Sequence, residues 1–409
     1  MNRPALLDFD EARRQLLELA QPLALRDGEF EVLPTNEALD RVLALNQVST
    51  LDVPPMDNSQ MDGYAVRAAD LIAGQPMALS QRIAAGQVAA PLAAGTTARI
   101  FTGAMVPPGA DAVIMQEQAV LDDGQVRFDI LPAAGDWIRR AGEDIRRDSV
   151  VLTAGTRLTP QALGLAASVG LAALPVRPRL RVACFFTGDE LAMPGEALAP
   201  GAIYNSNRFV LVALLRRLGC EVTDLGIVPD SLDATRSALR EAARSCDLIV
   251  TSGGMSVGEE DHVKPALEAE GSLRTWQIAI KPGKPLAWGA VRRVDGGSAH
   301  FIGLPGNPVS SFVTFLLFVR PFILRLQGAA DSLPRPIAVR ADFDWPKPDR
   351  RREFLRARFN EAGGLEIFSN QGSGVLTSTV WADGLIDNPP LQAIRRGDLV
   401  NFLPMERLL

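Results

Sequence analysis

The stretch Thr251–Lys264, TSGGMSVGEEDHVK, gathers residue types that handle anions and cations together. The preceding run Asp247-Leu-Ile-Val250 predicts a short buried strand. Ser252, Gly253 and Gly254 then break the chain, and glycines let a ligand approach the main chain closely. Amides freed at a strand end near a helix start favour anions. Glu259, Glu260 and Asp261 follow, then His262 and Lys264. Glycine amides beside carboxylates suit a phosphate when a cation lies between them, so the expected ligand is a phosphate with Mg²⁺. An ordinary strand-to-helix turn with a solvated acidic start has the same local composition, so other parts of the chain must decide.

Those other parts are loops that the expected elements bring to one edge. From Arg179 onward the chain alternates strand and helix: strands over 180–186, 221–228 and 247–251, helices over 205–218 and 232–244. Asn205 or Ser206 caps the first helix and Gly219 ends it. Such alternation predicts a mostly parallel, doubly wound sheet, whose ligands bind beyond the C-terminal strand ends. Thr187-Gly-Asp-Glu190, Pro229-Asp230, Ser252-Gly-Gly254 and Gly303-Leu-Pro-Gly-Asn-Pro308 all fall there. Ile280-Lys-Pro-Gly-Lys-Pro285 adds positive charge, with Pro282 and Pro285 bracing Lys281 and Lys284 to meet an oxyanion.

Earlier in the chain, Leu7–Ala20 and Glu37–Leu45 have helical apolar spacing, as does 152–170 with Thr159-Pro160 as a start. The loop 53–64, VPPMDNSQMDGY, clusters Asp57, Asn58, Ser59 and Asp62; a polar turn with local side-chain caps explains it as well as a ligand site does. Strand signals at 98–102, 112–116 and 125–130, with Asp123-Gly124 as a hairpin turn, predict a small β domain. The expected organisation is a helical unit from 1–45 and 145–178, an inserted β-rich unit at 46–144, the α/β unit at 179–329 and a C-terminal β unit at 330–409. The last contains Arg350–Arg356 and Asn370-Gln-Gly-Ser-Gly374.

Bulk composition narrows the function classes. A chain of 409 residues needs several cores. Its net charge of −6 excludes a global basic field for nucleic acid, so an anionic ligand must be held by local groups. Cys184, Cys220 and Cys246 have no metal spacing and read as reduced core thiols, which suits the cytoplasm. His262 and His300 are too few for a histidine metal centre. The N-terminus has no apolar signal region. The apolar run Val309–Leu324, interrupted by Arg320, predicts a buried helix rather than a membrane span.

Nine stretches in order, DNSQMDGYAV, FTGAMVPPGADAV, GEDI, TGDEL, YNSN, TSGGMSVGEEDHVK, KPGKP, GLPGNPVSS and QGSG, closely resemble the molybdopterin molybdotransferase family, the bacterial MoeA proteins and the E domain of gephyrin. The resemblance runs nearly end to end. It implies an elongated homodimer of four-domain subunits with the site at the subunit interface. It implies insertion of molybdate into adenylylated molybdopterin, Mg²⁺ as cofactor, and release of AMP and molybdenum cofactor. Transient contact with the adenylyltransferase and with molybdoenzymes is implied as well. By resemblance, Asp62, Thr102, Asp144, Glu190, Asp230 and Asp261 carry over as substrate and magnesium-site residues, the last three as the metal set. Lys281, Lys284, Pro305, Pro308, Ser310, Arg356 and Ser373 carry over around the pterin or molybdate, beside Ser252, Gly253 and Gly254. The sheet region alone also resembles the pterin adenylyltransferase that acts one step earlier, and gephyrin's E domain also serves as a receptor-clustering scaffold. Both readings stay open at this point.

Overall fold

The computed structural model describes residues 6–23, 30–254 and 262–409. Helix α1 (Phe9–Leu19) starts at Asp8, whose carboxylate accepts the Asp10 and Glu11 amides, and packs Phe9 against Phe318 and Phe354. Helix α2 (Pro160–Ser168) starts as its capping residues require, with the Thr159 hydroxyl accepting the Ala162 amide and Pro160 in the first turn.

The central sheet contains β1 (Arg181–Thr187), β2 (Glu221–Val228), β3 (Leu248–Ser252), β4 (Gly271–Gln277), β5 (Pro285–Arg292) and β6 (Ser298–Leu304). Their order is β2-β1-β3-β6-β5-β4. The first four are parallel, and β5 and β4 form an antiparallel edge. Apolar runs in the inner strands bury both faces, as parallel strands require. Val182, Cys184 and Phe186 join one core with α1, α3 (Ser206–Arg217) and α6 (Pro308–Leu326). Ala183 and Phe185 join the other with α4 (Leu232–Ser245) and α5 (Val263–Glu270). Asn205 caps α3 through the Arg208 amide, and Ser231 caps α4 through the Ala234 amide. Burial pushes the Cys184 and Cys220 thiols up to about 12.

Helix α6 has a π-helical turn at Phe315–Val319. It is long and apolar enough to cross a membrane, but 94% of its apolar stretch is buried inside the protein, which makes it a core helix.

The β-rich segment forms a six-stranded sheet, closed at one edge by the 119–128 hairpin. Asp123 and Gly124 both take positive φ in its turn, as the Asp-Gly signal requires. The C-terminal segment builds a second six-stranded sheet on Arg352–Phe359. Ile280–Lys281 joins it as a parallel edge, with Lys281 opposite Glu353. The proline-braced lysine loop is thereby tied to the C-terminal unit.

The structure differs from the sequence expectation at two early segments. Residues 37–45 form no α-helix: a 3₁₀ turn ends at Glu37, Asp40 has φ 61°, and Val42 and Leu43 bridge to Arg157 and Val176. Tertiary pairing overrides the helical spacing there, and Leu39 and Leu45 remain exposed. In 152–170 the helix begins only at Pro160, after a strand at Val150–Leu152 and a turn with Gly155 at φ 84°.

Candidate active site

The loops beyond the C-terminal ends of β1, β2, β3 and β6 converge on a cavity of about 610 Å³, completed by 281–285 and 371–373 from the C-terminal side. Glu190 and Asp230 lie on its wall with Gly253 and Gly254, Lys281 and Lys284, Pro305, Ser310 and Ser373. Both Gly253 (φ 99°) and Gly254 (φ 61°) need glycine. A Cβ on Gly253 would lie 2.4 Å from the Thr187 carbonyl oxygen, and one on Gly254 would lie 2.8 Å from the Thr187 hydroxyl. The Gly253 amide donates to the Leu304 carbonyl at 3.4 Å, so this amide is committed to the fold rather than presented to a ligand.

Ser252 is buried and also structural. Its hydroxyl donates to the Pro305 carbonyl at 3.0 Å and accepts from Asn207 Nδ2 at 2.8 Å; that amide also donates to the Gly306 carbonyl at 2.7 Å. Asn207, in the first turn of α3, thus clamps two site loops together. Pro308 occupies the first turn of α6 and is absent from the cavity wall, while Ser310, two residues on, reaches it. The Val309 amide donates to the Ser373 carbonyl at 2.9 Å, which fixes the 371–373 loop on the helix start.

The two lysines have different surroundings. Lys281 Nζ lies 3.2 Å from Glu353 Oε1 and 3.5 Å from Asp349 Oδ2. Glu353 is fully buried, and its other oxygen accepts from Trp345 Nε1 at 2.8 Å and from the Asp349 amide at 3.1 Å. Lys284 makes no ion pair among the described residues. The charge the sequence assigns equally to both lysines is therefore available mainly at Lys284. Arg351, which sequence reasoning did not select, adds a guanidinium to the wall. Its paired bonds hold the Asp349 carboxyl well below the usual carboxylate range.

Arg356 is placed differently from the other expected residues of the pterin or molybdate set. It is fully buried and absent from the wall. Its guanidinium donates to Ser378 Oγ at 3.1 Å and to the Phe354 and Gly372 carbonyls, each at 3.2 Å. The backbone of Arg356 also exchanges bonds with Gln371. A side chain on a strand facing the core cannot turn into the cavity, so Arg356 shapes the loop that does. Burial pushes its guanidinium down to about 10.

Asp62, Thr102 and Asp144 lie in the early segments and do not line this cavity. The Thr102 amide and hydroxyl both donate to Asp62 Oδ1, at 2.8 and 2.7 Å, and hold that carboxyl below its ordinary value. Asp261, with Glu259 and Glu260, lies outside the described residues. No group of three or more acidic, histidine or cysteine side chains that could hold a metal occurs among the described residues. Glu190 and Asp230 are two oxygen donors lining the same cavity, a donor type that suits a divalent cation taking its remaining ligands from phosphate and water. Besides Arg351, the sequence reading passed over Asn307 and Gln371 as wall residues; both sit inside motifs it had singled out, GLPGNP and NQGSG.

Family comparisons cover nearly the whole chain. Residues 7–170 match the MoeA N-terminal region (domain I and II), 183–325 the probable molybdopterin binding domain, and 338–405 the MoeA C-terminal region (domain IV). A Haemophilus influenzae relative named molybdopterin molybdenumtransferase is 40% identical over 413 residues, covering 99% of this chain and all of that one. The Mycobacterium tuberculosis protein named molybdopterin molybdenumtransferase 2 is 37% identical over 372 residues, 87% of this chain and 90% of its own. The solved molybdopterin biosynthesis moeA protein from Pyrococcus horikoshii superposes with a TM-score of 0.83 at 28% identity, over 98% of this chain and all of that one. Unbroken likeness across all three regions, with the sheet-edge loops meeting at one cavity, places this chain in the MoeA family of molybdopterin molybdenumtransferases.

Proposed function

We propose that this chain inserts molybdenum, supplied as molybdate, into adenylylated molybdopterin and releases AMP, with Mg²⁺ as its cofactor. One observation carries the reading: the same cavity is lined by carboxylates, Glu190 and Asp230, and by basic and hydroxyl groups, Lys284, Arg351, Ser310 and Ser373. A nucleotide-bearing substrate and an oxyanion need those two chemistries. Glu190 and Asp230, with Asp261, would hold Mg²⁺, which when bound polarises the phosphoanhydride and neutralises its charge. Ser310, Ser373 and Lys284 donate to the oxyanion, and Lys284 has no ion pair to release among the described residues. Gly253 and Gly254 keep the floor low enough for a phosphate to approach.

The placement of Asp62, Thr102 and Asp144 away from this wall supports a second part of the proposal. A homodimer would let one copy present these residues to the cavity of the other, as an interface site requires. The domain organisation expected from the sequence is carried into the same reading.

The test supplies purified protein with adenylylated molybdopterin, Mg²⁺ and molybdate. The proposal expects AMP and molybdenum-loaded pterin in equal amounts. If the protein instead makes adenylylated pterin from molybdopterin and ATP without molybdate, the adenylyltransferase reading replaces it. If it turns over neither substrate pair, the scaffold reading does.

A further inference from the structure

A second cavity, of about 590 Å³, lies where the C-terminal part of α6, the 331–335 linker, Arg157 and the end of the chain meet. Arg157, Arg320, Arg335 and Arg407 line it, against the carboxylates of Asp331 and Glu406. Arg320 is the one charged side chain in the apolar 309–324 run of α6. Its Nη1 donates to the Ser332 carbonyl at 3.1 Å, while its buried Nε has no hydrogen-bond partner among the described residues. It makes no ion pair among the described residues. Arg157 lies close enough to repel it and pairs with Asp40 at 3.2 Å, while the Asp331 carboxylate offsets part of that repulsion without forming an ion pair with Arg320 among the described residues. The Arg335–Asp331 contact is long, 3.8 Å, and both side chains are largely exposed.

A partly desolvated guanidinium beside a second guanidinium, satisfied by one carbonyl, is a costly arrangement unless an anion completes it. Burial pushes the Arg320 guanidinium down to about 10, in keeping with that shortfall. Arginine forks match tetrahedral oxyanions in geometry as well as charge. Its wall shares no residue with that of the candidate active-site cavity.

We propose that this second cavity binds a phosphate-bearing anion, held by Arg320 and Arg157 with Arg335 and Arg407. The ligand class is a free phosphate or a small phosphate monoester.

The test uses the full chain with Lys284→Ala, which weakens anion binding at the other cavity. Calorimetric titration with inorganic phosphate and, separately, with AMP, against chloride of matched ionic strength, should show saturable binding. Adding Arg320→Met, which keeps the apolar stem, should weaken it about ten- to a hundredfold, the loss of a charged hydrogen bond. Arg407→Gln, at an exposed position whose guanidinium also donates to the Arg335 carbonyl at 2.9 Å, should weaken it severalfold, with a thermal melt confirming that the variant is folded. Within the component of binding that Arg320→Met removes, which separates this cavity from AMP held at the first one, tighter AMP than phosphate binding identifies a monoester as the ligand; equal binding identifies free phosphate. Absence of saturable binding of either, or binding indifferent to both Arg320→Met and Arg407→Gln, overturns the proposal.

Discussion

Removing Lys281 and removing Lys284 should have opposite balances of stability against activity. Lys281→Ala leaves Glu353 as a fully buried carboxylate that keeps the Trp345 and Asp349 N–H donors but loses the ammonium at 3.2 Å. Breaking a fully buried pair by deleting one partner costs roughly 3–5 kcal/mol. The Lys281 side chain is 37% exposed, so water screens its end of the pair, and about 2 kcal/mol is the expected loss. That corresponds to a fall of about 4–8 °C in the melting midpoint for a unit of this size. Lys284→Ala breaks no ion pair among the described residues and should stay within about 0.5 kcal/mol of the parent. Its activity should nevertheless fall at least about tenfold, because it removes a charged donor to the oxyanion. Glu353→Gln in the Lys281→Ala background should recover at least about 1 kcal/mol, since a buried neutral amide needs no cation. The assay is a thermal melt of five proteins, the parent, Lys281→Ala, Lys284→Ala, Glu353→Gln and the Lys281→Ala/Glu353→Gln double variant, with turnover measured on the same samples. Equal melting shifts for Lys281→Ala and Lys284→Ala, or strict additivity of Lys281→Ala and Glu353→Gln, would refute the assignment of Lys281 to Glu353.

Arg356→Lys keeps the charge but loses the fork that bonds Ser378 and the Phe354 and Gly372 carbonyls; substrate affinity should fall through a disordered 371–373 loop, read as a raised KM with increased amide exchange of that loop. Mixing Asp62→Ala with Lys284→Ala protein should restore activity up to about a quarter of the parent's, because random pairing gives half mixed dimers with one intact site each. No recovery after full subunit exchange refutes a shared site. Glu270, clamped by Arg240 and Arg236 at 2.7 Å each, has its carboxyl held down at about 2. A depressed carboxyl contributes stability above its unfolded value of about 4.5 that is lost as pH falls through about 2. Acid melts of Glu270→Gln should therefore lack that portion, about 1 kcal/mol after allowance for the exposed arginine ends.

Much of the central unit is readable from sequence because its signals are local. Unbroken apolar runs mark the inner strands, Asn205 and Ser231 cap the helices that follow them, and Gly253 and Gly254 sit where a side chain would strike Thr187. The antiparallel pair β4 and β5 carries no comparable mark, since Gly271–Gln277 mixes polar and apolar residues. The fate of the lysines is not local either. Lys281 meets Glu353 only because Ile280–Lys281 joins the C-terminal sheet, a pairing across 72 residues. Arg356 was legible as an important arginine but not as a buried one, because the core-facing side of its strand depends on register with Gly384–Asn388. In 37–45, helical spacing gave way to bridges with Arg157 and Val176, partners more than a hundred residues away.

The central claim is that one cavity joins an acidic nucleotide side to a basic oxyanion side. The most direct measurement quantifies AMP and molybdenum-loaded pterin together, from adenylylated molybdopterin, while molybdate and Mg²⁺ are titrated separately in the parent, Lys284→Ala and Asp230→Ala. The account predicts equal amounts of the two products in the parent, a raised molybdate requirement in Lys284→Ala and a raised Mg²⁺ requirement in Asp230→Ala. Equal shifts of both titrations in both variants would contradict it and make the two sides a single nucleotide-binding site.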